Sequence, residues 1–518
     1  MRPFHLRTAA VVLLCSASLA LPLAAQQLTL EQRIQQVMDR AVFTHASWGM
    51  EFYDLEAKRT VYSVNRDRLM VPGSTTKLLT TGTALELLGA DHRFHTRVYR
   101  TGPVVKGTVQ GDLILVSSGD PNLSGRLNAD GTLAFTDHDH SYGGLPLEAD
   151  PLAALRGLAK QIAAKGIHAV TGQVIVDASL FAEGEKELGT SVTISPLVVN
   201  DNVIDIVVAP GAKVGDAARV TVSPRTAYLT VKSQLTTGDS GTAPVIKAVE
   251  DSTNRDARTI TVTGRVPRSA APENMRWTVP TPSRFGELTF AAILREAGVR
   301  ATARVTTRHV DLKALATKYA DSTVVAEHVS APFTEEAKVI LKMSQNLHAS
   351  MMPYAVAAIK APGDTTKTGF DLERAFLEQG HLDIDGAVQG DGAGGNAYFS
   401  AAFMTRYLEY CATRPWAEAF HRALPILGKD GTLVDIQTSS PAAGKVFAKT
   451  GTYGSYDPLH RRQLIHGKGL AGYFTSKSGR KIAFAVYVNN LAIAKGDPAP
   501  FAGQTVGEIA ALGWEFIP

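Results

Sequence analysis

Cysteine is nearly absent, with two in 518 residues, Cys15 and Cys411. Cys15 falls inside an N-terminal apolar run that reads as a removable leader, so the processed chain keeps one thiol and an intramolecular disulfide is excluded. Charge of one sign is missing as well. Lys and Arg number 53 against 49 Asp and Glu, and the net +4 shrinks further when Arg2 and Arg7 leave with the leader. That balance gives no argument for nucleic acid or an anionic membrane surface as a partner, and neither is expected. After residue 25 no apolar run reaches membrane-spanning length. The final segment, Gln504 to Pro518, carries Glu508 and Glu515 but no Lys or Arg, unlike a basic interfacial anchor. No solenoid period or low-complexity tract is present.

What is there begins with the leader over residues 1–25. Arg2 and Arg7 precede the apolar stretch Ala9 to Leu21, and Pro22-Leu23-Ala24-Ala25 supplies small residues before Gln26. Leu14 stands before Cys15 where a lipoprotein signal needs a small residue, which argues against lipid anchoring. The expectation is an exported protein, soluble or loosely membrane-associated, with no transmembrane anchor once the leader is cleaved. Its length and 45% hydrophobic content predict two or three globular domains.

Trp48 to Tyr53 and Thr60 to Tyr62 read as strands, and from Ser74 the pattern turns helical until Gly89. Strand-like segments dominate from His95 to Thr263, interrupted by one helix from Pro151 to Lys165. Helices return from about Thr281, among them Thr334 to Met343 with Thr334 as N-cap, and strands close the chain at Lys445 to Gly451, Gly469 to Thr475 and Lys481 to Asn489. These late strands would complete a sheet begun near Trp48. The predicted organisation is a discontinuous domain, residues 26–95 plus 281–518, hosting a strand-rich insert over 96–280.

Ser74 and Lys77 are three apart, so a helix puts hydroxyl and amine side by side, the minimum kit for a serine nucleophile with a lysine base. Helix-start N–H groups favour the negative charge that develops there. The base must be neutral near pH 7. Lowering a lysine from about 10.4 to about 7.5 takes about 4 kcal/mol, which burial and a second cation can supply. Lys-Thr-Gly occurs twice. Lys367-Thr368-Gly369 sits in a polar connection and reads as a solvated loop, whereas Lys449-Thr450-Gly451 lies on a β-branched, aromatic strand whose edge could pair with an extended peptide. Ser344-Gln345-Asn346 falls where two helices meet, placing a hydroxyl to relay a proton and an amide to bind a substrate carbonyl.

In the order S-x-x-K, S-x-N, K-T-G, these motifs are the signature of penicillin-recognising serine acyl enzymes. The chain resembles that superfamily and, within it, the low-molecular-mass class C penicillin-binding proteins, the D-alanyl-D-alanine carboxypeptidase/endopeptidase family. Further matching blocks are Gly111-Asp112-Leu113, Gly119-Asp120-Pro121, Val199-Asn200-Asp201-Asn202-Val203, Asp391-Gly392-Ala393-Gly394 and Asp430-Gly431-Thr432-Leu433. The long stretch between Ser74 and Ser344 matches too, because this family carries its extra domains there.

The resemblance implies an α+β multidomain fold in which an antiparallel sheet flanked by helices forms the acyl-enzyme domain. It implies a periplasmic, metal-free and cofactor-free hydrolase acting on peptidoglycan stem peptides and crosslinks, and acylated by β-lactams. A β-lactamase or esterase of the superfamily, or a silent peptidoglycan-binding relative, is the alternative. The implied catalytic residues are Ser74, Lys77, Ser344 and Lys449. Asn346, Thr450, Gly451 and Thr452 would contact substrate, and Asp177 would meet the amine of the peptide stem or merely end a strand.

Three departures carry expectations of their own. Gln345 stands where Asp or Asn is commoner. Ala393 replaces a family serine, so no chemistry is expected of that loop. The long connection between Tyr456 and Lys468 is expected to be a solvated loop. Asp137-His138-Asp139-His140 has chelating letters but is expected to be a surface loop beside Gly143-Gly144.

Overall fold

In the computed structural model, which describes residues 28–518, the two ends of the chain meet in one sheet. The leader over residues 1–25 lies outside the described residues. Five antiparallel strands follow the order Val446–Asp457, Arg462–Thr475, Lys481–Ala492, Ser47–Asp54 and Arg59–Val64. Strands from the second half of the chain thus complete the sheet begun at Ser47.

Side-chain alternation decides what covers each face. Along Lys481–Ala492, Ile482, Phe484, Val486 and Val488 face one layer, formed with Ile34 and Val37 of helix Leu30–Met38 and Val506 and Ile509 of helix Pro498–Phe516. Ala483, Ala485 and Tyr487 face the other way, with Leu78 and Leu79 of helix Lys77–Leu88 and Met404, Tyr407 and Leu408 of helix Ala401–Ala412. The small alanines let those helices lie close, and the Tyr407 hydroxyl donates to the Leu78 carbonyl at 3.0 Å. The helix that begins at Lys77 is therefore clamped against the sheet. Fully buried Phe52 stacks on Phe484 with centroids 5.9 Å apart, and truncating such a ring costs about 3–5 kcal/mol.

The insert has its own cores. Its main sheet orders Val324–Val329, His95–Arg100, Leu113–Val116 and Val174–Asp177, with Leu155, Leu158 and Ile162 of helix Ala153–Ala164 packed against it. A second group pairs Val203–Ala209 with Arg219–Ser223, and a third lays Leu229–Gly238 parallel to Arg258–Pro267. This packing runs past the boundary expected at 281. Phe285, Phe290 and Leu294 of helix Pro282–Glu296, and Val325 and Ala326 of strand Val324–Val329, are buried in the insert's cluster. The reason is the antiparallel pairing of Val324–Val329 with His95–Arg100, a long-range register that no local pattern announces.

Four local expectations change. Ser74 does not open an α-helix directly: Gly73 adopts φ +52°, Gly73–Thr76 form a 3₁₀ turn, and the α-helix starts at Lys77. Helix Phe333–Lys342 has Pro332, not Thr334, at its N-cap, while Glu335 and Glu336 occupy the first turn near the positive end of the helix dipole. Thr368, in the K-T-G copy read as solvated loop, caps helix Gly369–Gln379, its hydroxyl accepting from Asp371 N at 3.2 Å. The connection after Tyr456 is a β-hairpin, because Val446–Asp457 and Arg462–Thr475 stay paired out to Asp457 opposite Arg462.

Candidate active site

The three motifs converge where the 3₁₀ turn, the junction of helices Phe333–Lys342 and Asn346–Lys360, and strand Val446–Asp457 meet. Lys77 is fully buried. Its Nζ lies 2.7 Å from Ser74 Oγ and 3.3 Å from Ser344 Oγ, and it donates to Asn346 Oδ1 at 2.6 Å and to the Ala393 carbonyl at 3.3 Å. Lys449, equally buried, has its Nζ 2.8 Å from Ser344 Oγ and donates to the Thr450 carbonyl at 2.9 Å. One hydroxyl, Ser344, therefore bridges two amines. Ser344 adopts φ +64°, a strained conformation for a non-glycine residue, in the junction that aims its side chain between the lysines.

Burial moves both amines toward neutrality. It lowers Lys77 to about 8 against the pull of the Glu187, Asp391 and Asp139 carboxylates. Lys449 is driven well below the usual lysine range by burial, then by the charges of Lys77 and Lys468. A partly neutral amine 2.7 Å from a serine hydroxyl is competent to take its proton.

Backbone supplies the rest. A Cβ on Gly73 would lie 2.5 Å from Thr452 N, and a Cβ on Gly451 would lie 2.0 Å from Pro72 O and 3.0 Å from Ser74 N. Two glycines thus let turn and strand touch, bringing the backbone nitrogens of Ser74 and Thr452 to one spot. Thr450 Oγ1 lies 2.7 Å from Thr432 Oγ1, so the Asp430-Gly431-Thr432 block forms the far wall. Among the described residues, the outer edge of strand Val446–Asp457 beyond Phe447 has no strand partner.

Residues 30–506 match the model of the D-Ala-D-Ala carboxypeptidase 3 (S13) family. The chain belongs to that family. It is 28% identical over 514 residues to a D-alanyl-D-alanine carboxypeptidase of Actinomadura sp. (strain R39), covering 94% of this chain and 85% of that one. It is 23% identical over 452 residues to a D-alanyl-D-alanine carboxypeptidase of Haemophilus influenzae, covering 84% of each. Its fold is shared with the crystal structure of penicillin binding protein 4 from Haemophilus influenzae, at a TM-score of 0.71 and 19% identity, over 93% of this chain and 99% of that one. This S13 chain is accordingly a serine peptidase, a hydrolase with an α+β multidomain fold.

Several parts of this S13 site were not legible as motifs. The Ala393 loop, from which no chemistry was expected, supplies a carbonyl to Lys77. The insert reaches in as well: Asn346 Nδ2 donates to Glu187 Oε1 at 2.7 Å and to the Tyr142 hydroxyl at 2.9 Å, so both ends of that amide are engaged within the protein. Gln345 is fully buried and works as an N-cap, its Oε1 accepting from Leu347 N at 2.6 Å while its Nε2 donates to Asp201 at 3.0 Å. Asp177 ends strand Val174–Asp177. Its carboxylate, 3% exposed, accepts from the Tyr319 hydroxyl at 2.6 Å and Ser179 N at 3.0 Å, with no hydrogen bond to the Ser74 group.

Behind Gln345 lies a buried ion network where a surface loop was expected. Asp139 and His140 are each 5% exposed because the insert and helix Asn346–Lys360 close over them. Asp139, His140 and Asp201 bring potential ligand atoms within 4.8 Å of one another. A divalent ion does not fit this donor set. His140 has both ring nitrogens on carboxylates, 2.8 Å from Asp205 and 2.8 Å from Asp201, and Arg126 donates to Asp201 at 2.6 Å. His348 joins Asp201 at 3.1 Å to Glu336 at 2.9 Å. The carboxylates are neutralised by the protein's own cations.

Proposed function

We propose that the chain is a periplasmic serine-type D-Ala-D-Ala carboxypeptidase, also active as a D,D-endopeptidase on peptidoglycan crosslinks, working through an acyl-enzyme on Ser74. What carries the reading is the single amine of Lys77, within 2.7 Å of Ser74 Oγ and 3.3 Å of Ser344 Oγ, with Lys449 closing the relay 2.8 Å beyond. Neutral Lys77 takes the Ser74 proton as Oγ attacks the penultimate D-alanine carbonyl. Held by Asn346 and the Ala393 carbonyl, its remaining N–H bonds keep the lone pair on Ser74. Ser344 then passes a proton to the leaving amine and is resupplied from Lys77, while the Lys449 amine donates to Ser344 Oγ at 2.8 Å and holds that hydroxyl in place. The Ser74 and Thr452 N–H groups form the oxyanion hole, and the Thr450 hydroxyl receives the terminal carboxylate. Water attacks the acyl-enzyme and frees Ser74.

The unpartnered edge from Lys449 onward supports an extended peptide by strand addition through Gly451 and Thr452, and leaves room for a crosslinked acceptor. β-Lactams acylate the same hydroxyl. In this reading Asn346 orders Lys77, its two amide N–H groups being held by Glu187 and Tyr142, while Asp177 serves as a strand end, its carboxylate already held by Tyr319 and Ser179. Export rests on the leader sequence. Among the described residues, no helix is long and apolar enough to cross a membrane.

Fluorescent penicillin labelling and D-alanine release from a D-Ala-D-Ala peptide test the proposal together. The wild type is expected to take label and release D-alanine, and Ser74→Ala to do neither. Labelling of Ser74→Ala overturns it, as does nitrocefin turnover that far exceeds peptide cleavage.

A further inference from the structure

Lys468 lies on strand Arg462–Thr475 directly opposite Thr452. It is 9% exposed, and its Nζ lies 2.7 Å from Thr452 Oγ1. Among the described residues it forms no ion pair. The one acid felt by its charge is Asp497, and that carboxylate caps helix Pro498–Phe516 through Ala499 N at 2.9 Å. Gly503 on the same helix packs beside Lys468, where a Cβ would meet Nζ at 3.5 Å. Burial lowers the ammonium to about 8, so it stays largely protonated at neutral pH. A buried cation without a counter-anion is costly. This one stands one side chain away from the groove.

The hydrogen-bond directions fix what Thr452 can do. An ammonium can only donate, so Lys468 N–H occupies a lone pair of Thr452 Oγ1 and leaves the hydroxyl proton free to point elsewhere. Thr452 is exposed, beside the Thr450 hydroxyl, on the edge strand. We propose that Lys468 is a positioning residue for the carboxylate of the substrate's terminal residue, turning the Thr452 hydroxyl into a donor aimed into the groove and supplying the positive charge that the anion neutralises. This rests on the reading that a D-Ala-terminated peptide occupies the groove. It extends that reading by assigning selectivity for a free carboxylate to a residue outside all three motifs. Lys449 cannot serve here, because its Nζ is turned to Ser344 and the Thr450 carbonyl.

The test compares a D-Ala-D-Ala peptide with the same peptide carrying a C-terminal amide, on wild type, Lys468→Met and Lys468→Arg. The wild type is expected to favour the free acid by at least about tenfold in kcat/KM, the scale of one charge-assisted hydrogen bond. Lys468→Met should raise KM for the acid about tenfold, leave kcat within about threefold and leave the amide unchanged. Lys468→Arg should restore most of the acid preference. Equal losses on both peptides, or none on either, overturn the proposal. Should Lys468→Met fail to fold, the wild-type ratio and Lys468→Arg decide, and a wild type that cleaves the amide as well as the acid overturns it. A wild type that cleaves neither peptide and takes no penicillin label brings down the functional reading, and this proposal with it.

Discussion

Two groups of buried charge sit side by side in this protein and behave in opposite ways. In the network behind Gln345, burial opposes ionisation, yet paired carboxylates raise His140 to about 10 and His348 to about 9, and cations hold Asp201 well below the usual carboxylate range. At the candidate active site Lys77 and Lys449 face hydroxyls, an amide and carbonyls, so burial wins and both amines fall. The partner therefore decides the role. A buried charge facing an opposite charge becomes structure, and one facing neutral dipoles becomes a reagent.

The comparison is broken most directly at Lys77. Lys77→Met should slow fluorescent-penicillin acylation about 10³-fold, the scale of a lost general base, without lowering the melting temperature, because no ion pair is opened. A stability loss matching the loss of acylation would put Lys77 in the structural class. Asp201→Asn is the reverse experiment. It leaves Arg126, His140 and His348 short of their shared counter-charge and should cost about 3 kcal/mol in denaturant unfolding, while the residual folded enzyme still acylates.

The smallest effect separates the two groups by pH. Lys77 titrates from about 8, so acylation should rise as pH climbs from 7 to 9. His140 and His348 have folded values above their unfolded 6.5. Their stabilisation is complete below 6.5 and is lost as pH rises through about 9 to 10, because the folded state then holds protons that the unfolded state has released. Thermal melts should therefore decline over the interval in which acylation increases. Parallel curves would mean that the two groups titrate as one.

How much of this could be read from letters follows the same division. Ser74, Lys77, Ser344, Asn346 and Lys449 stand in three short motifs legible by their order and by the family they resemble, and the sheet joining both chain ends was legible from strand patterns. The contacts of Asn346 with Glu187 and Tyr142 depend on how the insert folds back, and nothing near 187 or 142 hints at it. The Ala393 contribution is a carbonyl, which every residue has, so its side chain misled. His140 looked like loop because its burial comes from partners at 201 and 205. The boundary at 281 failed because a strand at 324 to 329 pairs back to 95 to 100.

Gly73 and Gly451 act as a mechanical gauge. Because turn and strand rest directly on each other, the spacing between Ser74 N and Thr452 N is set by backbone contact rather than by a side-chain rotamer. A single methyl at position 451, 2.0 Å from Pro72 O, would act as a shim driving strand and turn apart. Rigidity at this seam is thus obtained by leaving side chains out, and the tolerance of the whole reaction centre is as fine as the contact between two bare backbones.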